Sequence, residues 1–291
     1  MYAFVANLGI AIAKILAAIK TGSSSMMAES IHSVADTGNQ LLLLLGLSQS
    51  KREPDLEHPL GYGKVTFFWS FMVAIILFSL GGLYSLYEGY HKLGNDEPIE
   101  DAWIAFTVLG IAVFLEGGSL FGCLKEIEIQ RRGRSLMRWL KESRSAELVV
   151  VFGEDVGALI GLVLAMCFLG LAVVTGDTRY DAYGSMVIGV ILLSIAVFVG
   201  VRIQALLIGR SADPELEEAI RDVIREDNAI EELYHLITIQ LGPQILLAAK
   251  VRLRSGLSCV ESCREVNDLE RTLKKNYPQI RWSFVETDVV D

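Results

Sequence analysis

Among the polar residues that interrupt the second apolar stretch of this 291-residue chain are Glu29, His32, Asp36 and Asn39. They fall at i, i+3, i+7 and i+10, which lines them along one face of an α-helix and leaves the leucines at 41–45 for lipid and packing contacts. Two further apolar stretches also carry acids. One holds Glu116; another holds the adjacent pair Glu154 and Asp155, with Glu147 near its start. An ionisable group at the centre of a bilayer costs on the order of 3 kcal/mol even on a lenient insertion scale. Asp36, Glu116 and Asp155 together therefore approach about 10 kcal/mol, against about 5 to 15 kcal/mol for the whole stability of a typical domain. Hydrogen-bonded glue between helices needs only Ser, Thr or Asn, so ionisable groups at this cost point to function.

The residue types indicate the chemistry. A histidine and two carboxylates in low dielectric, with nothing basic nearby to neutralise them, repel one another unless they hold protons or a cation. Imidazole plus carboxylate suits Zn²⁺ first, with Fe²⁺, Mn²⁺ and Co²⁺ as the other ions such donors accommodate. The stripe has no thiolate, which argues against Cu⁺. Glu154 sits one residue, about 100°, from Asp155 and cannot fully share its face. Glu116 precedes Gly117, Gly118 and Ser119, a setting for close helix packing, so hydrogen bonding, proton handling and metal contact stay open for it.

These residues need membrane-spanning helices to position them. Hydrophobic residues make up 52% of the chain, charged residues 21%, the formal net charge is −9 and the mean hydropathy +0.42. The apolar excess is concentrated in blocks: 65–87, 156–176 and 182–201 run 23, 21 and 20 residues without a charge. Each is long enough to cross a hydrocarbon core of about 30 Å at about 1.5 Å per residue. Six spans are expected, at 2–20, 26–49, 65–88, 101–124, 146–174 and 182–207. The first begins at Met1 and is barely long enough, and no cleavable targeting segment is expected because it lacks a basic start and an A-x-A-like site. Basic residues number ten in the loops after the second and fourth spans against three on the other side (Lys20, Lys92 and Arg179), which sets both termini in the cytoplasm. Asp36 then lies about 15 Å down from one face and Asp155 about 14 Å up from the other, so the two meet near the midplane. The acidic balance and the absence of a basic stripe exclude a nucleic-acid partner.

Residues 211–291 change to a water-soluble pattern, with 16 acidic and 10 basic residues over 81 positions. Asp213 and Pro214 open a helix, Ile237 to Leu241 and Val251 to Leu253 alternate as strands around a Gly242-Pro243 turn, Ser258 and Glu261 form a capping box, and Ile280, Trp282 and Phe284 alternate again. The expected architecture is an α-helical membrane domain of six spans (1–210) followed by a small α+β domain, α-β-β-α-β (211–291). Of the four cysteines, Cys123 and Cys167 lie in apolar runs, and Cys259 and Cys263 continue the stripe of Val266, Leu269 and Leu273; all four are expected in cores. His91 is expected at a membrane edge and His235 at a solvated strand start.

At these residues the sequence resembles the cation diffusion facilitator family of zinc transporters. Ala28-Glu29-Ser30-Ile31-His32-Ser33-Val34-Ala35-Asp36 is similar to that family's second-span H-x-x-x-D site, and Glu57-His58-Pro59-Leu60-Gly61-Tyr62-Gly63-Lys64 to the segment that follows it. Asp181-Ala182-Tyr183-Gly184-Ser185 and Leu206-Leu207-Ile208-Gly209 resemble the start and end of its sixth span, and the tail resembles its metallochaperone-like cytoplasmic domain. The segments around Asp36, Glu116 and Glu154-Asp155 look most like the branch whose animal member is mitochondrial. The resemblance implies a homodimer that exports a divalent cation, Zn²⁺ first, in exchange for protons. It also implies a metal site of His32, Asp36 and Asp155, completed by Glu154 or Asn39. The usual fifth-span ligand four residues before Asp155 is here Val151, so Asn39, Glu154, Glu116 or water must complete the shell. Asp55 and His58 match a secondary site of some relatives, but Tyr62 replaces its second histidine, which favours a structural loop.

The sequence thus reads as a multi-pass protein of the cell (inner) membrane that transports a metal ion and is not an enzyme. No H-E-x-x-H motif supports a metalloprotease and no G-x-x-x-x-G-K-[ST] loop an ATP-driven pump. A cation channel is the remaining alternative, and a single polar stripe favours an occluded site over a pore.

Overall fold

The computed structural model describes residues 2–94 and 101–290, with side chains described from Leu8 onward; Met1, from which the first span is read, and Asp291 lie outside. Two helices come first, α1 (Tyr2–Thr21) and α2 (Ser24–Ser50). Gly22, at φ +67°, turns the chain between them, and the Ser23 hydroxyl accepts from the Met26 amide to cap α2. A long third helix follows in three parts. It is α-helical as α3 (Val65–Ile76), widens to π geometry over Leu77–Leu83, and returns as α4 (Tyr84–Lys92). The Tyr84 amide donates to the Ser79 carbonyl, five residues back, which is the π hydrogen bond. Then come α5 (Ala102–Arg131), the short α6 (Leu136–Glu142), α7 (Ala146–Thr175) and α8 (Arg179–Ile208).

Among the described residues four helical stretches are long and apolar enough to cross a membrane: 65–92, 102–131, 146–175 and 179–208. Helices α1 and α2 match the first two expected spans in position, and the polar stripe of α2 dilutes its hydropathy. The core joins Leu77 of the π segment, Leu109 and Ala112 of α5, Leu162 and Leu169 of α7, and Ile188 and Leu192 of α8. A second cluster packs Phe67 and Val73 of α3 against Val150 of α7 and Ile203 of α8. Helix α6, a separate element within the basic stretch after α5, is held by Trp139, 2% exposed, packed with Cys123, Ile127 and Val149.

The C-terminal part forms as α9 (Pro214–Arg225), β1 (Ile230–Leu241), β2 (Gln244–Leu253), α10 (Cys259–Asn276) and β3 (Ile280–Thr287). The sheet order is β1-β2-β3, antiparallel between β1 and β2 and parallel between β2 and β3. Both helix starts carry the anticipated caps, Asp213 with Pro214 and the reciprocal Ser258–Glu261 box. Strand β2 turns Ile245, Leu247, Ala249 and Val251 inward onto Ile220, Ile224, Leu269 and Leu273. Strand β1 starts seven residues earlier than its alternation indicates. Register irregularities between Ile230 and Glu232 and between Leu233 and His235 break the period of two, and Arg252 pairs across the strands with Glu232 at 3.0 Å. His235 accordingly lies within the strand, exposed. The cysteines divide otherwise than expected: Cys123 is buried, whereas Cys167, Cys259 and Cys263 are exposed, because the apolar stripe of α10 that faces the sheet runs through Leu269 and Leu273 and leaves its first turn outside.

The two parts are joined by backbone contact as well as by charge. Gly63, in the α2–α3 loop, touches the β1–β2 turn so closely that a Cβ there would collide with the Leu241 carbonyl. Arg134 pairs with Asp213 at 2.9 Å and Glu142 at 3.4 Å, and Arg144 donates to the Ser211 and Ala212 carbonyls at 2.6 and 2.9 Å. Burial, with Arg210 nearby, pushes the Arg144 guanidinium down to about 10, so it stays charged at neutral pH. Gly63→Ala should cost about 1 to 3 kcal/mol by overpacking this joint. The check is a lower unfolding temperature with faster proteolysis at 209–213, while Gly110→Ala, facing open space in α5, leaves both unchanged.

Candidate metal centre

Helix α2 turns its polar stripe inward. Glu29, His32 and Asn39 are fully buried, Asp36 is largely so, and Val34, Leu41, Leu44 and Leu45 face outward. The orientation is held at the start of α2 by Asp181 from α8. This buried carboxylate accepts from the Ser23 hydroxyl at 2.9 Å, the Ser24 amide at 2.6 Å, the Ser24 hydroxyl at 3.0 Å, the Ser25 amide at 3.4 Å and the Ser25 hydroxyl. An anion at a helix N-terminus also complements the helix dipole. The latch sets the rotation of the helix that carries the stripe.

Each ionisable group along the stripe meets a different neighbour. Lys14 of α1, fully buried, donates to the Ser33 hydroxyl at 2.7 Å and lies 3.4 Å from Glu29 Oε2. The expectation that nothing basic lies near the stripe is therefore corrected: a single lysine inside the first apolar run was the available signal, and helical periodicity alone could not tell which way it pointed. His32 Nε2 lies 3.5 Å from Asp36 Oδ2, and neither imidazole nitrogen has a hydrogen-bond partner. The π segment approaches there through Gly81, where a Cβ would stand 3.5 Å from His32 Nδ1.

The adjacent acids of α7 go to different helices, as their 100° separation requires. Glu154 Oε1 accepts from Asn39 Nδ2 on α2 at 2.5 Å, and Asp155 accepts from the Ser119 hydroxyl on α5 at 3.1 and 3.2 Å. Both line a cavity of about 60 Å³ together with Asp36, Glu116, Ser33, Gln40, Ser119, Ile10 and Val151. That volume suits an ion with a few waters. Four carboxylates thus face one small space from three helices, and Val151 presents a methyl surface where a ligand is usual in the family that the sequence resembles. His32 stands behind Asp36 rather than on the cavity wall. Among the described residues no three His, Cys, Asp or Glu side chains are gathered closely enough to hold a metal ion. The carboxylates surround the space without closing on it.

In the loop after α2, Asp55 accepts from the His58 amide at 2.7 Å and the Tyr62 hydroxyl at 2.5 Å. The Tyr62 hydroxyl and then the His58 amide hold the Asp55 carboxyl below its usual range. The exposed His58 ring packs on Tyr62 with centroids 4.3 Å apart. Asp55 therefore orders the loop through its own hydrogen bonds. His91 stacks on Tyr87 at the end of α4.

Residues 1–207 match the cation efflux transmembrane domain family, which is 71% of the chain. The chain belongs to the cation efflux family. Within it, the sequence is 33% identical over 269 residues to a proton-coupled zinc antiporter of Xenopus laevis, SLC30A9, described as mitochondrial; this covers 90% of the chain and 47% of that protein. It is 33% identical over 225 residues to metal tolerance protein C4 of Arabidopsis thaliana, covering 77% of the chain and 49% of that protein. The cation-efflux pump FieF of Serratia proteamaculans is 25% identical over 272 residues, covering 91% of the chain and 83% of the pump. The chain spans about half the length of the first two relatives.

Asp181→Ala removes the acceptor for five buried donors, each costing about 1 to 3 kcal/mol if left unsatisfied. Asp181→Asn keeps one acceptor oxygen. Thermal unfolding of the purified protein should therefore fall markedly for alanine and much less for asparagine, and equal losses would refute the latch.

Proposed function

We propose that this member of the cation efflux family is a transporter, not an enzyme, that moves a divalent cation out of the cytoplasm in exchange for protons, with Zn²⁺ the first choice and Fe²⁺, Mn²⁺ or Co²⁺ the others. In this reading α1, α2, the continuous 65–92 helix, α5, α7 and α8 are six spans (1–210) with both ends in the cytoplasm. Residues 211–291 form a cytoplasmic domain through which two copies pair. The observation that carries the reading is the cavity at α2, α5 and α7, where Asp36, Glu116, Glu154 and Asp155 meet inside the apolar bundle. Relatives named as a proton-coupled zinc antiporter and a cation-efflux pump support it. The membrane is that of the cell or, as the name of the Xenopus relative suggests, a mitochondrial one.

The ligands we assign are Asp36 and Asp155 from the cavity wall, His32 from behind Asp36, and Glu154 with Asn39 as the pair that replaces the ligand missing at Val151. In this reading His32 turns toward the cavity when the ion binds, and its nitrogens have no hydrogen bond to break in doing so. Carboxylate and imidazole bind a cation only when deprotonated, so protons arriving from the far side compete for the same groups and expel the ion. Histidine, with an unperturbed pKa near 6.5, is suited to that competition. Alternating access follows from tilting helices around the fixed site.

Vesicles reconstituted with the full chain test this directly. Saturable Zn²⁺ uptake driven by a pH step is expected, and conductance indifferent to pH would favour a channel instead. Asp36→Ala and Asp155→Ala should each abolish the flux while the protein still purifies as a folded species. Retained flux in both would overturn the site.

A further inference from the structure

We infer that Lys14 is a resident, tethered cation that weakens the hold of the acidic cavity on a divalent ion enough for the ion to leave. The inference rests on the transporter reading above. Its geometric basis is the placement of Lys14 on α1. The ammonium is fully buried and donates to Ser33, which itself lines the cavity beside Asp36. Ile10, one turn earlier on α1, lines the same space. Lys14 therefore stands one side chain from the site that the cation would occupy.

Its nearest acid, Glu29, is not a free neighbour that could take over a ligand's role while Lys14 stays in place. One Glu29 oxygen faces Lys14 at 3.4 Å, and the other, without a hydrogen-bond partner, presses on α7 at Gly161, where any Cβ would collide with it. The pair is thus wedged between α1 and α7. Replacing a buried ion pair by apolar side chains is often neutral or stabilising, so fold stability alone does not account for a charged pair here. A charge effect on the neighbouring cavity does. The cavity gathers four carboxylates, and a site that binds a divalent ion too strongly cannot turn over. A fixed positive charge near the site raises the energy of the bound ion and leaves the empty, protonated site almost unaffected, which favours release. At an effective dielectric of about 20, one unit charge roughly 10 Å from a divalent ion alters its affinity by on the order of a hundredfold.

The test measures Zn²⁺ binding to the purified full chain by chelator competition, together with KM and maximal rate in reconstituted vesicles. Lys14→Gln should tighten binding by about a hundredfold, lower KM and lower the maximal rate. Glu29→Gln, which leaves the ammonium unopposed, should shift binding and KM the other way. The double variant Lys14→Gln/Glu29→Gln should return the affinity toward that of the unaltered chain, and Lys14→Arg should keep it. If Lys14→Gln fails to fold, Glu29→Gln and Lys14→Arg still decide the matter, and tighter binding in Glu29→Gln overturns the inference. Single variants that both weaken binding, or that change only yield and thermal stability, assign the pair a structural role and overturn it as well. An unaltered chain that binds no Zn²⁺, Mn²⁺ or Fe²⁺ overturns the transporter reading and this inference with it, whereas normal binding with same-direction shifts overturns this inference alone.

Discussion

Charge removed from water has to be compensated, and in this protein that requirement governs how the helices meet. Five carboxylates, Glu29, Asp36, Glu116, Glu154 and Asp155, sit along helices that are otherwise largely apolar. Those with recorded hydrogen bonds or ion pairs find their partners on another helix: Glu29 with Lys14 of α1, Glu154 with Asn39 of α2, and Asp155 with Ser119 of α5. Asp36 is the exception, with only His32 of its own helix at 3.5 Å. Neither imidazole nitrogen of His32 has a hydrogen-bond partner, and one Asp36 oxygen has none either. An unpartnered imidazole beside a carboxylate is costly in a packed interior, and it is retained where an ion or a proton completes the shell.

The scaffold around the site is built to keep α2 in one orientation. Asp181 gathers five donors at the start of that helix, and α8 lies close against the widened 77–83 segment, where Gly189 meets the Gly82 carbonyl with room for nothing larger. The π geometry shifts the residues of that segment relative to a regular helix and brings Gly81 against His32. A local departure from helical regularity thus faces a buried imidazole whose two nitrogens lack hydrogen-bond partners, and such departures frequently mark functional positions.

The sheet-containing part is coupled to the bundle through main chain rather than through flexible side chains alone. Gly63 against the 241–242 turn, the Gln240 amide donating to the Arg210 carbonyl, and Arg144 on the carbonyls at 211 and 212 all fix backbone to backbone or backbone to a planar guanidinium. The α2–α3 loop and the β1–β2 turn are therefore in direct backbone contact. The same loop is ordered from within by Asp55, which accepts from two backbone amides and the Tyr62 hydroxyl.

The sequence by itself determined what is periodic and local: the positions of the six long helices, the single polar face of α2, the caps of α9 and α10, the Gly242-Pro243 turn and the α-β-β-α-β order. These follow from burial repeating every 3.6 or 2 residues and from hydrogen bonds made within a few residues of chain. Tertiary structure alone decided which residues meet across helices. Lys14 reaches Ser33, 19 residues away, Glu154 turns to Asn39 and Asp155 to Ser119 because the helices are rotated and crossed as they are, and spacing along one helix carries no information about the rotation of its neighbour. For the same reason α10 leaves Cys259 and Cys263 outside, the bulged start of β1 hid behind broken alternation, and His32 stands behind Asp36 rather than on the cavity wall. Periodicity tells which side chains point inward, and only packing tells what they find there.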